Sequence, residues 1–388
     1  MLLESFYIKN FRLFKELTIE KLGRVNLIVG KNNAGKSCLL EALRIYATSA
    51  DPYFLLKIIA DRDEGWEEKV GGSKEERQLT MFPPFQEHPL RHLFYGYHLP
   101  TMERDEKIEI GHYQPVEQRI HLYIQFYQIM ETDEGPQRKR ITPDSVNESL
   151  ENIESFLELQ DNDGIKTPLI LLSPLIRSGR VVRDLLPSRY HSLKKREYNM
   201  QFLPTTLIDA GEMAILWDNI NIQPNLRKEV FEALRLLDND IQEVVFIGRG
   251  GRSVPLVLYN GGENKRLPLK SLGDGVSHLF QIILMLLNAK EGLLLIDEFE
   301  NGLHYTLQPK VWEIIFILAK KLNVQVFATT HSWDCVKAFQ QASEQTDEEA
   351  LLLRLGRSVK KSDRGQVIAT LYDKSSLKTV TQEEMEIR

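Results

Sequence analysis

Val25-Asn26-Leu27-Ile28-Val29-Gly30-Lys31-Asn32-Asn33-Ala34-Gly35-Lys36-Ser37-Cys38-Leu39-Leu40 opens on an apolar run, crosses a loop bounded by two glycines, and continues with apolar residues at helical spacing as far as Tyr46. Gly30 to Ser37 fits the pattern G-x-x-x-x-G-K-S. Gly30 and Gly35 let the backbone wrap so that its N–H groups point at phosphate oxygens. Lys36 supplies a point charge for the β- and γ-phosphates. Ser37 offers a hydroxyl to Mg²⁺, and the helix N-terminus adds its positive end. Asn32, Asn33, Ala34 and Cys38 complete the set expected to touch the nucleotide. ATP and Mg²⁺ are the ligands implied. A glycine-rich turn is the alternative, and the strand-loop-helix order weighs against it.

Three other stretches carry chemistry that such a loop requires. Leu293-Leu294-Leu295-Ile296-Asp297-Glu298 is four apolar residues ending in two acids, as expected of a buried strand that delivers carboxylates to its C-terminal end. Asp297 is placed to bind Mg²⁺ through water and Glu298 to polarise an attacking water as general base. Read alone, the pair also fits a solvated acidic turn. Thr330-His331-Ser332 follows the apolar stretch ending Phe327-Ala328-Thr329. A histidine just beyond a parallel strand's C-terminal end points into the crevice where ligands bind, so His331 can hold the γ-phosphate, with Ser332 capping the next helix. Ser271-Leu272-Gly273-Asp274-Gly275 stands before another helical stretch. Serine and glycines at a helix N-terminus make an anion site, or a plain capped turn.

These elements, in this order, resemble the ATP-binding-cassette (ABC) type of ATPase, and within it the soluble branch that includes the RecF, SMC and OLD (overcoming lysogenization defect) proteins. Ile8-Lys9-Asn10-Phe11-Arg12 followed by the Gly30 loop looks like that branch's N-terminus. Ser271-Leu272-Gly273-Asp274-Gly275 looks like its signature motif, Asp297-Glu298 like its Walker B pair, Glu300-Asn301-Gly302-Leu303-His304 like its D-loop, and His331 like its switch histidine. The likeness covers residues 1–48 and about 200–388. It implies an α/β P-loop fold of ABC-ATPase type, a mixed sheet with helices on both faces plus an insertion. It also implies a homodimer, or a higher homo-oligomer, in which Ser271, Gly273 and Gly275 of one copy act on the nucleotide held by the other. The branch's Q-loop glutamine has no assigned position here, although Gln125 and Gln128 lie in strand territory. His278 stands where related sequences often carry arginine.

The rest of the chain bounds this reading. Its 388 residues suit one large α/β domain with insertions, or two modest domains, and 42% hydrophobic and 27% charged residues are ordinary for a globular protein. The net charge of −6 gives no global sign of nucleic-acid binding. Cys38 and Cys335, far apart, make neither a disulfide framework nor a metal cluster. No apolar run approaches the roughly 18 residues that span a bilayer. With no signal peptide at Met1, a cytoplasmic location is expected, away from membranes. Residues 1–49 and 168–388 are expected to form the ATPase core, with 50–167 as an insertion or arm. Within that arm, strands are expected at Ile108–Ile110 and Ile120–Tyr127, a short helix near Glu151–Leu159, and a mobile polar linker over 131–167.

Arg177, Arg180, Arg183, Arg189, Lys194, Lys195 and Arg196 form a basic stretch, with Arg138-Lys139-Arg140 and Arg249 with Arg252 as smaller clusters. They offer phosphate contacts for DNA, with Tyr190 and Tyr198 as stacking candidates, or simply a solvated face. The chain ends too soon after its last strand for the Toprim nuclease domain that OLD-like proteins often carry, so a nuclease or other effector is expected as a separate polypeptide. Two functions are consistent with these residues: a DNA-associated ATPase controlling such an effector in genome maintenance or anti-phage defence, and an ATP-dependent protein-interaction module.

Overall fold

β1 (Phe6–Phe11) and β2 (Phe14–Ile19) form an antiparallel hairpin, followed by β3 (Val25–Val29), α1 (Lys36–Ala47) and α2 (Pro52–Ala60). The computed structural model describes residues 2–383 apart from 66–84, 103–105, 134, 142–151, 174–175, 178–179, 182–197, 207, 237, 250–251, 261–264, 361–362 and 364. Local chemistry sets the first helix boundaries. α1 starts behind Gly35, in the left-handed region at φ 99°. The Asp51 side chain caps α2 by accepting from the Tyr53 amide at 2.9 Å, with Pro52 in the first turn.

The chain then adds strands to the first hairpin. β4 (Ile108–Gly111), β5 (Arg119–Thr132), β6 (Gly135–Arg140), β7 (Ile153–Gln160) and β8 (Lys166–Ser173) complete a seven-stranded sheet of order β2-β1-β4-β5-β7-β8, with β6 paired to β5. Every pairing in it is antiparallel. The helix expected near Glu151–Leu159 is therefore a strand, β7. The polar linker expected over 131–167 is, among the described residues, largely sheet. Residue 168, the expected start of the second core segment, lies inside β8.

After the two-residue strands β9 (Ile176–Arg177) and β10 (Arg180–Val181) come β11 (Met200–Leu203), α3 (Ala210–Asn221) and α4 (Pro224–Arg235). A three-stranded antiparallel sheet follows: β12 (Ile241–Arg249), β13 (Arg252–Tyr259) and β14 (Lys265–Pro268). The chain continues with α5 (Asp274–Asn288), β15 (Leu293–Ile296), α6 (Gln308–Leu322), β16 (Gln325–Thr329), α7 (Trp333–Ser343), β17 (Ala350–Arg357), β18 (Val367–Tyr372) and α8 (Lys374–Gln382).

Six strands form the central sheet, in the order β11-β15-β16-β3-β17-β18, parallel except for the last pair. Its strands alternate between two cores. Leu27, Val29, Leu294, Ile296, Val326 and Ala328 face a layer built from α3 to α8. Ile28, Leu293, Leu295, Phe327 and Leu353 face α1, and beyond α1 lies the antiparallel sheet. Burial on both faces explains the near-continuous apolar runs of β3 and β15. α1 is enclosed: all of its residues except Ser37 are buried. Its charged Glu41 is tolerated there because Arg12 and Arg62 each approach its carboxylate at 2.6 Å.

The central register places the chemistry. Ile296 pairs with Ala328, and Thr329 with Ile28. The C-terminal ends of β15, β16 and β3 thus lie side by side, and Asp297, Thr330 and Gly30 leave the sheet at one edge.

Candidate nucleotide-binding and hydrolysis site

The loop after β3 is shaped by its glycines. A Cβ at Gly30 would lie 2.4 Å from the Leu355 carbonyl oxygen, and one at Gly35 would lie 2.8 Å from Phe14 Cζ, at φ 99°. Neither position admits a side chain without the surroundings moving. Asn32 and Asn33 are exposed, while Ala34 is buried. Lys36 is 7% exposed and donates from Nζ to the Gly30 carbonyl at 2.8 Å and the Lys31 carbonyl at 3.2 Å. Its ammonium curls back over the loop. Burial pulls its pKa below the usual lysine value, against the opposing pull of Asp297, Glu298 and Glu300. Cys38 is buried, its thiol pushed up to about 11 by desolvation, with Arg62 3.5 Å from Sγ.

The acids at the end of β15 meet this loop. The Ser37 hydroxyl donates to Asp297 Oδ2 at 3.3 Å, and the Thr329 hydroxyl donates to Asp297 Oδ1 at 2.6 Å. Glu298 follows in the left-handed region, φ 52°, a conformation that costs a non-glycine residue about 1 kcal/mol or more. Its amide donates to Thr329 Oγ1 at 2.8 Å, and the Asn301 side-chain amide donates to its Oε2 at 2.9 Å. His331 stands across from it: Nδ1 is 3.4 Å from Lys36 Nζ, and Nε2 is 3.8 Å from Glu298 Oε1. The His331 amide donates to Glu300 Oε1 at 2.7 Å. Glu298 and His331 each keep more than a third of their side-chain surface exposed, so both are open to a ligand.

Lys36, Ser37, Asp297, Glu298 and His331 therefore come together from three separate segments. The donor set suits a hard cation, since Ser37 and Asp297 present oxygens at the foot of a loop whose amides and ammonium suit phosphate. Ser271, Gly273 and Gly275 lie elsewhere, at the start of α5. Ser271 and Gly273 are exposed, and a Cβ at Gly275 would stand 3.3 Å from the Gly302 carbonyl oxygen. Among the described residues, no hydrogen bond or ion pair joins them to Gly30–Ser37. His278, one turn into α5, is 1% exposed, and neither ring nitrogen has a hydrogen-bond partner.

Sequence reasoning missed Thr329 as part of the site, and placed Glu300 and Asn301 only in the D-loop resemblance, without their contacts to His331 and Glu298. Thr329 is the polar residue at the crevice end of a strand that is otherwise apolar after Gln325, and that was the available signal. The DNA candidates fare differently. Arg138 pairs with Glu154 at 2.9 Å and Arg140 with Glu158 at 2.5 Å, and both glutamates are buried. Tyr198 is 6% exposed, with its ring 6.0 Å from Tyr46, so it is a core residue and not a stacking platform for bases. Arg183, Arg189, Tyr190, Lys194, Lys195 and Arg196, and the side chains of Arg177, Arg180, Arg249 and Arg252, lie outside the described residues.

Comparison with known proteins points to the same class of enzyme. Residues 1–177 match the family model described as an AAA ATPase domain. Residues 175–334 match the one described as an AAA domain, putative AbiEii toxin, type IV TA system. An ATP/GTP phosphatase of Helicobacter pylori is 25% identical over 358 residues, 89% of this chain and 90% of that protein. Among solved structures, the SMC head domain from Thermotoga maritima aligns at TM-score 0.42 and 13% identity, covering 96% of this chain and 99% of that one. An SMC head bound to the C-terminal winged-helix domain of ScpA aligns at TM-score 0.46 and 12% identity, covering 96% and 98%. Two stretches thus each match a model of an AAA-type ATPase domain, and the chain is an ATP-hydrolysing enzyme of the P-loop class.

Proposed function

We propose that this chain binds ATP with Mg²⁺ on the Gly30–Ser37 loop and hydrolyses it with Glu298 as general base. The observation that carries this reading is the meeting of Ser37 with Asp297 at 3.3 Å and of Lys36 with His331 at 3.4 Å. Lys36 turns its ammonium from the loop carbonyls to the β- and γ-phosphates. Asn32, Asn33, Ala34, Gly35 and Cys38 contribute backbone amides. Ser37 and Asp297 hold the Mg²⁺, which when bound neutralises charge on the phosphates. Glu298 takes a proton from the attacking water, and His331 donates a hydrogen bond to the γ-phosphate.

Ser271 and Gly273 are exposed, and among the described residues no hydrogen bond or ion pair ties them to the Gly30–Ser37 loop of their own chain. This supports a homodimer in which Ser271, Gly273 and Gly275 of a second copy close the site. The core comprises 1–49 and 168–388, with 50–167 as the insertion that extends the first sheet. A separate nuclease or other effector, in genome maintenance or anti-phage defence, is the downstream partner that fits an ATPase of this kind. Among the described residues, no helix is long and apolar enough to cross a membrane, and we place the protein in the cytoplasm.

A second reading, a nucleotide-gated protein-interaction module without DNA contact, draws support from Arg138 and Arg140, whose charges are already engaged within the fold. Salt-dependent DNA affinity that is lost when Lys194, Lys195 and Arg196 become alanine would favour the DNA-associated role. No binding at low salt, with or without ATP, would leave the interaction module. For the catalytic reading, the test is ATP turnover by Glu298→Gln. Wild-type turnover in that variant would put the base elsewhere.

A further inference from the structure

We infer that Thr329 and Glu300 are positioning residues, a reciprocal clasp that joins the ends of β15 and β16 and thereby holds Glu298 opposite His331. This inference rests on the roles proposed above for Asp297, Glu298 and His331. From β16, the Thr329 hydroxyl reaches across to β15, donating to Asp297 Oδ1 at 2.6 Å and accepting from the Glu298 amide at 2.8 Å. The Thr329 carbonyl also accepts from the Phe299 amide at 2.9 Å. From the β15 side, the Glu300 carboxylate reaches back and accepts from the His331 amide at 2.7 Å. Each strand end thus supplies the anchor for the other's functional residue.

Three features set these contacts apart from ordinary packing. Thr329 is fully buried, and its one hydroxyl serves both acids, so Asp297 and Glu298 cannot shift independently while it is in place. Glu298 is in the left-handed region at φ 52°, and the bond from its amide to Thr329 opposes relaxation of that backbone. His331 follows Thr329 by two residues, so the Glu300 bond fixes the loop carrying the imidazole from the opposite side. Glu298 and His331, 3.8 Å apart, sit at the two ends of this clasp. Neither Thr329 nor Glu300 is assigned contact with nucleotide. They act through the residues they hold.

The test uses the full chain and separates hydroxyl from methyl. Thr329→Val keeps the shape and removes the donor and acceptor, while Thr329→Ser keeps both. Expected for Thr329→Val are a kcat at least tenfold below wild type, a raised Mg²⁺ concentration for half-maximal rate, and affinity for a fluorescent ATP analogue in EDTA within twofold of wild type. Thr329→Ser should recover to within threefold. Wild-type turnover in Thr329→Val, or a loss in Thr329→Ser as deep as in the valine variant, would overturn the inference. If Thr329→Val does not fold, Glu300 decides. Glu300→Gln keeps an oxygen for the His331 amide and should retain a third or more of kcat, while Glu300→Ala should lose at least tenfold. Equal turnover in those two variants overturns the inference. Asp297→Asn and Glu298→Gln are run alongside. Unchanged turnover in both would defeat the catalytic reading itself, whereas their loss beside a wild-type Thr329→Val defeats the clasp alone.

Discussion

Lys36 Nζ and His331 Nδ1 are 3.4 Å apart, which couples the phosphate loop to the end of β16 directly. An ammonium only donates, so a hydrogen bond between them makes Nδ1 the acceptor and places the ring proton on Nε2. Nε2 is the atom nearest Glu298. The imidazole is therefore a hydrogen-bond donor on the side where the attacking water and γ-phosphate would stand.

Removing that ammonium should remove nucleotide binding. Lys36→Ala is expected to weaken ATP affinity by about a hundredfold or more, on the order of 3 kcal/mol, as for loss of a partner from a buried charge contact. Titration calorimetry measures this. Tight ATP binding by Lys36→Ala would contradict the phosphate-loop assignment.

Glu298→Gln preserves the shape of the side chain and its contact with Asn301, but cannot accept a proton. Turnover should fall by roughly 10² to 10⁴-fold, with ATP affinity retained. In size-exclusion chromatography with ATP and Mg²⁺, the variant should elute as a longer-lived dimer than wild type. A monomer under those conditions would count against nucleotide-driven dimerisation.

Complementation tests whether the site is shared. In a twofold assembly, Lys36→Ala and Ser271→Arg chains mixed in equal amounts form half their dimers as heterodimers, each with one intact site. Turnover should recover to about a quarter of wild type. Two inactive variants that remain inactive when mixed would show that Ser271 does not act on the partner's nucleotide.

His278 gives the fold an acid limit. Burial holds its pKa down to about 4, against the ordinary 6.5. The group is a base whose folded pKa is depressed, so the folded state binds fewer protons than the unfolded one across that interval. Stability is full above about pH 6.5, falls as pH drops toward 4, and levels off below. The total is roughly 3 kcal/mol. His278→Leu should flatten this limb in urea titrations between pH 4 and 7. An unchanged pH profile would show that the imidazole is accessible to protons in the folded state.

Arg140 should behave as a structural residue. Glu158 is fully buried and accepts from Tyr123 and Tyr127 as well as from Arg140. Arg140→Ala leaves the two hydroxyls but removes the cation, at a cost of about 2–3 kcal/mol. A lower melting temperature is expected. An unchanged melting temperature with reduced DNA affinity would return Arg140 to the nucleic-acid interface.

The chemistry of the site was legible where it is local in sequence. Gly30 to Ser37 and Leu293 to Glu298 each carry their own pattern, and the register of β3, β16 and β15 then brings them together. β7 was illegible for a definite reason. Ile153, Phe156, Leu157 and Leu159 match helical spacing, while Glu154 and Glu158 look like solvent-facing residues. In the fold both faces of this strand are buried, and the glutamates are held by Arg138, Arg140 and tyrosines from neighbouring strands. That leaves no alternation to read. Thr329 and Glu300 escaped because their roles depend on hydrogen bonds between segments about 30 residues apart.

The enclosure of α1 between two sheets also bears on how this molecule opens. With every residue but Ser37 buried, the amides beyond its first turn have no route to solvent by fraying or surface breathing. They should exchange with deuterium only in the rarest and largest opening events of the chain. The helix that carries Lys36 and Ser37 is then among the last parts to come apart, so a nucleotide can leave without the loop's foundation loosening. Whatever motion ATP drives has to appear in the elements around α1.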